Sequence, residues 1–329
     1  WLPRPGPPAL LLLGGNALSG PGFAAAARLA AATGARLAAE NFNVRMARGA
    51  GRPYLPKVPY VGAAAEAFLG DVEVLVLVES RAPVNFFGYP GQRGTPVAAA
   101  THVLTLAAPG EAGVEALDAL CAGLRAPVPA APPAVARPGM PTGSIDAQSL
   151  AATLACCLPE GAVLCDEAIT TRTALYEGLS AAARYDHLDL MGGAIGEGLP
   201  LATGAALGDP SRRVICVSGD GSALYTLQAL WTQARENLDI TTVICANHRY
   251  AILVNEHLQI EGRAPGPRAW PLMSLEGPAI SFAALACGFG VEAVTGATAE
   301  ALADALTAAQ ARRGPFLIEA QMVVPPSAG

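Results

Sequence analysis

A chain of 329 residues, 52% hydrophobic and only 15% charged, is long enough to bury two full cores and has little polar surface to spare. A net charge of −6 without any Lys/Arg cluster argues against a nucleic-acid partner. No apolar run reaches the roughly 18 residues that a membrane-spanning helix needs. The 7 cysteines are scattered except for Cys156-Cys157, and none sits in metal-ligand spacing. They read as reduced thiols of a cytoplasmic protein.

In chain order, the proline-rich opening from Trp1 to Pro8 lacks an initiator methionine, so an interdomain linker within a longer protein is expected. ALLLLGG, from Ala9 to Gly15, reads as a buried strand, GFAAAARLAAATG as a helix ending at Gly34, and ARLAAE as a second strand. A loop around Pro53 to Pro59 leads to the short helix YVGAAAEAFLG. VEVLVLVES is continuous and β-branched, as a parallel strand covered on both faces should be. HVLTLA and a helix from Gly113 to Leu124 complete a doubly wound parallel sheet.

The stretch from Arg125 to Gly143 is proline-rich and has no apolar period. Residues 1–126 are therefore read as a Rossmann-like domain, 127–143 as a linker, and 144–329 as a second α/β domain. The second half repeats the strand–helix logic. A helix capped by Asp146 precedes the strand AVLCDE, and a helix from Thr170 leads to the Gly-rich MGGAIGEGLP. A helix to Leu207, the strand RVICVS and a helix from Ala223 to Glu236 follow, with Tyr225 and Trp231 expected in its buried face. ITTVICAN, GVEAV and PFLIEAQMV supply the remaining strands.

Ligands of open α/β sheets bind beyond the carboxyl ends of the strands, and three unusual segments fall there. In SGDGSA, Gly219 and Gly221 permit a tight turn, and the next helix offers free N–H groups that suit a phosphate. Asp220 between them would repel that phosphate unless it holds a divalent cation that both share. In CANHRYAIL, Asn247 stands one strand–helix–strand step later and offers a neutral oxygen, and a nearby backbone carbonyl offers another. Two side-chain oxygens, a carbonyl, two phosphate oxygens and a water would complete the octahedron that Mg²⁺ prefers. In GGAIGEGLP the glycines admit a flat ring, and Ile195 is the bulky residue among them.

This combination resembles the diphosphate-binding domain of thiamine diphosphate (ThDP) enzymes, whose signature is GDG followed some two dozen or more residues later by Asn-Asn. The run from GGAIGEGLP to ANHRYAIL is similar to the benzoylformate decarboxylase and acetolactate synthase-like group. LLLGGNAL and VNFFGYPG resemble that group's central domain more loosely. The resemblance implies ThDP and Mg²⁺ as cofactors, with Asp220, Asn247 and the backbone carbonyl of Arg249 as metal ligands. It places Gly219, Gly221, Ser222, Tyr250 and Ala251 around the diphosphate and Thr170 near it. It assigns the Gly193 carbonyl to the cofactor's 4′-amino group, and makes Ile195 the wedge beneath the bent cofactor. The first Asn of the signature is Ala246 here, and the ligand in this group is the second.

The implied activity is that of a 2-oxo acid decarboxylase or carboligase. The group's catalytic glutamate belongs to a pyrimidine-binding domain of the same or a neighbouring subunit, and nothing in this sequence matches that domain. A homodimer or homotetramer is implied, and the chain alone is expected to be inactive. A non-catalytic nucleotide- or diphosphate-binding module is the alternative. His248, Glu256 and His257 follow the Asn and are candidates to face substrate, whereas His102 and His187 read as structural. Glu167 and Glu197 read as carboxylates at helix N-termini. GGNALSG lacks GxGxxG spacing, so no cofactor is expected in the first domain.

Overall fold

A computed structural model describes residues 8–89, 91–130 and 135–323. The opening as far as Pro7 lies outside the described residues, as do 131–134 of the proline-rich stretch. The chain forms two compact units, one of residues 1–47 and 53–133, the other of residues 48–52 and 134–329.

The first unit carries a four-stranded parallel sheet in the order Arg36–Ala39, Ala9–Leu13, Val74–Val78, His102–Ala107. The two central strands, Ala9–Leu13 and Val74–Val78, are apolar on both faces. Leu10, Leu12, Leu75 and Leu77 pack with Ala65 and Leu69 of the helix Gly62–Leu69, while Leu11 and Leu13 are buried on the opposite face.

The second unit holds a sheet whose strands run in the order Glu292–Gly296, Phe316–Gln321, Ile240–Ala246, Val214–Gly219, Ala162–Glu167, Tyr185–Asp189. Alternate residues divide between two cores. Leu164, Ile215, Val217, Val243 and Ile318 pack with Leu150, Leu154 and Leu306. Val163, Cys165, Cys216, Ile244 and Leu317 pack with Leu199, Leu230 and Phe282. Asp146 caps its helix with a reciprocal pair: its side chain accepts from Ser149 N–H at 2.7 Å, and Ser149 Oγ accepts from Asp146 N–H at 2.8 Å.

Three features depart from the sequence reading. The helix expected from Ala223 to Glu236 is broken into Asp220–Ala223 and Ala229–Arg235, joined by turns. Tyr225 and Trp231 are consequently 57% and 52% exposed rather than core, with Leu227 and Leu230 buried in their place. Tyr185–Asp189 is a strand that the polar sequence YDHLD concealed, because His187 and Asp189 are buried polar residues there. Arg48–Arg52 belongs to the second unit, where buried Arg48 donates to Tyr185 Oη at 3.0 Å and to the carbonyl of Tyr176. Among the described residues, no helix is long and apolar enough to cross a membrane, and the stretch around 127–143 carries no helix before Ala147.

Candidate functional site

The strands Ala162–Glu167 and Val214–Gly219 are neighbours from which the chain winds in opposite directions, to Tyr185–Asp189 on one side and Ile240–Ala246 on the other. Such a switch point leaves a crevice beyond the strand ends. A cavity of about 40 Å³ lies there, lined by residues that include Thr170, Asp220, Ser222, Asn247, Arg249 and Tyr250.

Asp220 opens the short helix after Val214–Gly219 and is 2% exposed. One carboxylate oxygen accepts from its neighbour Gly221 N–H at 2.8 Å, and the other from His248 N–H at 2.6 Å. The second bond ties the two strand-end loops together, and His248 adopts a positive φ of 55° to make it. Burial pushes the Asp220 carboxyl upward against these bonds. Among the described residues it forms no ion pair within 4.0 Å.

Asn247 turns the chain out of Ile240–Ala246, and its Oδ1 accepts from Arg249 N–H at 3.1 Å. Arg249 lies opposite Ser274, and the flanking bonds run from Tyr250 N–H to Met273 and from Leu275 N–H to His248, both 2.8 Å. Arg249 therefore spends neither its N–H nor its carbonyl on that pairing. The Tyr250 ring lies over the GDG turn so closely that a Cβ on Gly221 would come within 2.5 Å of it. Glycine at that position is thus required by close approach rather than by φ.

The Gly-rich loop follows the neighbouring strand Tyr185–Asp189. The Gly193 carbonyl accepts from Ile195 N–H at 3.0 Å across Ala194, whose φ and ψ of −77° and 79° describe an inverse γ-turn. Ile195 is half-buried. The loop is held by two glutamates. Glu197 accepts from Met191 N–H at 2.9 Å and stands at the N-terminus of the helix Gly198–Gly208. Glu167 also meets the N-terminus of that helix, where its carboxylate accepts from the backbone N–H groups of Glu197 and Gly198. It ends its strand, is 2% exposed, and accepts from Gly196 N–H at 2.5 Å and from Ser218 Oγ at 2.7 Å.

Thr170, Gly219, Asp220, Gly221, Ser222, Asn247, Arg249, Tyr250 and Ala251 thus share one cavity, whereas Gly193 and Ile195 stand outside its lining, on the adjoining loop. His248 contributes its backbone to Asp220, while Glu256 and His257 sit on the helix Ala251–Glu261 and do not line the cavity. His187 is buried and 3.4 Å from Asp166, and His102 lies in an exposed stretch of strand. Sequence reasoning missed the bridging part of Glu167; the available signal was a carboxylate ending an otherwise fully buried strand. Among the described residues, no group of three or more His, Cys, Asp or Glu is placed to hold a metal ion.

Residues 173–320 match the family described as thiamine pyrophosphate enzyme, C-terminal TPP binding domain. A Mycobacterium tuberculosis protein named as an acetolactate synthase large subunit is 45% identical over 328 residues, 99% of this chain and 63% of that one. Benzoylformate decarboxylase of Pseudomonas aeruginosa is 34% identical over 190 residues, 57% of this chain and 34% of that one. Among solved structures, a Rhodococcus jostii thiamine diphosphate-dependent 4-hydroxybenzoylformate decarboxylase superposes with a TM-score of 0.77 at 24% identity, over 97% of this chain and 62% of that one. At that identity the likeness shows the fold. The chain spans less than two thirds of the length of each of these relatives.

Proposed function

We propose, from the match of residues 173–320 to the C-terminal TPP binding domain of thiamine pyrophosphate enzymes, that the chain is the cofactor-holding part of a cytoplasmic 2-oxo acid decarboxylase or carboligase. The observation that carries the site is Asp220, a buried carboxylate with no ion pair among the described residues, beside a cavity at the strand ends. Burial disfavours its charge, and a divalent cation would restore it. The donor set suits Mg²⁺: Asp220 Oδ, Asn247 Oδ1 and the Arg249 carbonyl are all hard oxygens. Gly221 and Ser222, with the backbone near Tyr250 and Ala251, would contact the diphosphate, with Gly219 and Thr170 at its edge. Gly193 and Ile195 would meet the pyrimidine and the bend of the cofactor. The Gly193 carbonyl keeps one lone pair beyond its bond to Ile195.

When bound, ThDP supplies the carbanion chemistry that 2-oxo acids require. The residues of this chain hold the metal and diphosphate, orient the ring and exclude water. The carboxylate that exchanges a proton with the aminopyrimidine is assigned to a pyrimidine-binding domain of the same protein or of a neighbouring subunit in a homodimer or homotetramer. All 7 cysteines are unbridged, which supports a reducing compartment. The relatives favour this reading over a non-catalytic diphosphate module.

The test is titration calorimetry of the chain with ThDP, with and without Mg²⁺. Binding should require Mg²⁺ and vanish in Asp220→Ala. At 100-fold saturation, bound cofactor should also raise the stability of the wild type by about 2.7 kcal/mol. Equal affinity in EDTA would overturn the metal assignment. Assayed alone with pyruvate or benzoylformate, the 329 residues should release no CO₂, and adding a pyrimidine-binding domain should restore turnover.

A further inference from the structure

Gly196 is gripped from both sides. Its N–H goes to Glu167, and its carbonyl accepts from Thr226 Oγ1 at 2.5 Å. Glu167 comes from the strand end between the Gly-rich loop and the GDG strand, and Thr226 from the turns after GDG. The fit is close on every side. A Cβ on Gly196 (φ 95°) would lie 2.7 Å from Tyr225 Cβ, and a Cβ on Gly198 would lie 2.7 Å from a Glu167 carboxylate oxygen. The other Glu167 bond, to Ser218, fixes the carboxylate to the residue just before the GDG turn.

Gly196 N–H belongs to the peptide that joins it to Ile195. Ile195 is only half-buried, so packing alone does not fix where its side chain stands. We propose that Glu167 and Thr226 clamp Gly196 through the two peptides that flank it, Glu167 holding the Ile195–Gly196 peptide and Thr226 the next, making Glu167 the positioning residue that sets Ile195 at a constant height relative to the GDG turn. The purpose of that height, to meet the ring of ThDP while the turn holds its diphosphate, rests on the function proposed above. Glu167 touches neither end of the cofactor in this assignment and acts through the loop. A buried carboxylate suits the task because charge-assisted hydrogen bonds hold geometry more tightly than neutral ones.

Two readouts on the full chain test the clamp. Without ligand, hydrogen–deuterium exchange of the segment 191–198 should quicken about tenfold in Glu167→Ala, the worth of one charge-assisted bond. The core strand Ile240–Ala246 should be unchanged. Thr226→Val should quicken the same segment. Glu167→Gln should restore it, since its amide oxygen can accept from Gly196 and its amide nitrogen can donate to Ser218. With Mg²⁺ present, Glu167→Ala should weaken ThDP about tenfold while leaving inorganic diphosphate within about threefold. Three results would overturn the proposal: unchanged exchange at 191–198, acceleration spread evenly through the unit, or equal losses for ThDP and inorganic diphosphate. If Glu167→Ala does not fold, Thr226→Val and Glu167→Gln carry the same comparison. A wild-type chain that binds neither ligand counts against the proposed function, and the ligand-free exchange still judges the clamp.

Discussion

Asp220 and Glu167 are both buried carboxylates at strand ends, yet their partners differ in kind. Glu167 accepts from a hydroxyl and from the backbone N–H groups of residues 196–198, which hold a loop and the start of the helix that follows it. Asp220 accepts from two backbone N–H groups beside a cavity. A third carboxylate, Glu40 in the first unit, shows what burial does with weaker compensation. Desolvation raises its carboxyl to about 7 despite the opposing pull of Arg81 and Lys57. Below pH 4.5 the group is protonated whether the chain is folded or not, and its contribution is fully present. Between 4.5 and about 7 the folded form keeps a proton that the unfolded form releases, so stability falls as pH rises through that window. Glu40→Gln should flatten this slope and raise the thermal midpoint at pH 8 by several degrees, at roughly 2–4 °C per kcal/mol. Melting curves at pH 4.5 and pH 8 check it, and an unchanged difference between the two would contradict it. Asp220 and Asn247 were legible as residues because glycines and a strand end surround them. The bridging part of Glu167 was not, since a carboxylate near a helix N-terminus looks the same in sequence whether or not it also spans two loops.

At the scale of elements, the parallel strands were legible from their continuous apolar runs, and the switch point follows from their order. The exception was Tyr185–Asp189, whose burial rests on polar side chains that hydropathy cannot recognise as inward-facing. The break after the GDG turn was also hidden. The sequence from Ala223 to Glu236 is rich in Ala, Leu and Gln, but Thr226 gives its hydroxyl to Gly196 and the backbone there runs in turns. Packing of the GDG turn against the next loop depends on Gly221 under Tyr250. Gly221→Ala should destabilise the second unit by about 1–3 kcal/mol, as overpacking does. In a Tyr250→Ala background the same change should cost less, with a coupling of about 1 kcal/mol or more between the two sites. Denaturant titration of the four proteins measures this cycle. Additive effects would mean that the ring moves aside freely.

For the whole molecule, two α/β units with parallel sheets were legible from alternating strand and helix patterns, and the proline-rich stretch signalled a change of unit. The return of Arg48–Arg52 to the second unit was not legible, because five residues carry no periodicity of their own. Arg48 stacks 3.6 Å from the Tyr176 ring centroid as well as donating to Tyr185. Arg48→Ala should destabilise the second unit by about 2–4 kcal/mol, through the lost stacking and the Tyr185 hydroxyl left without its donor. Residues 134–329 made alone should show a loss at least as large, and equal stability with the full chain would contradict it. The same interlacing bears on the order of events at the ribosome. Arg48 is synthesised 137 residues before Tyr185. At about 5–20 residues per second, it waits roughly 7–27 s for its partner. The first unit can close its own sheet in that interval, but only as a structure that still holds out a cationic side chain destined for the interior of the next.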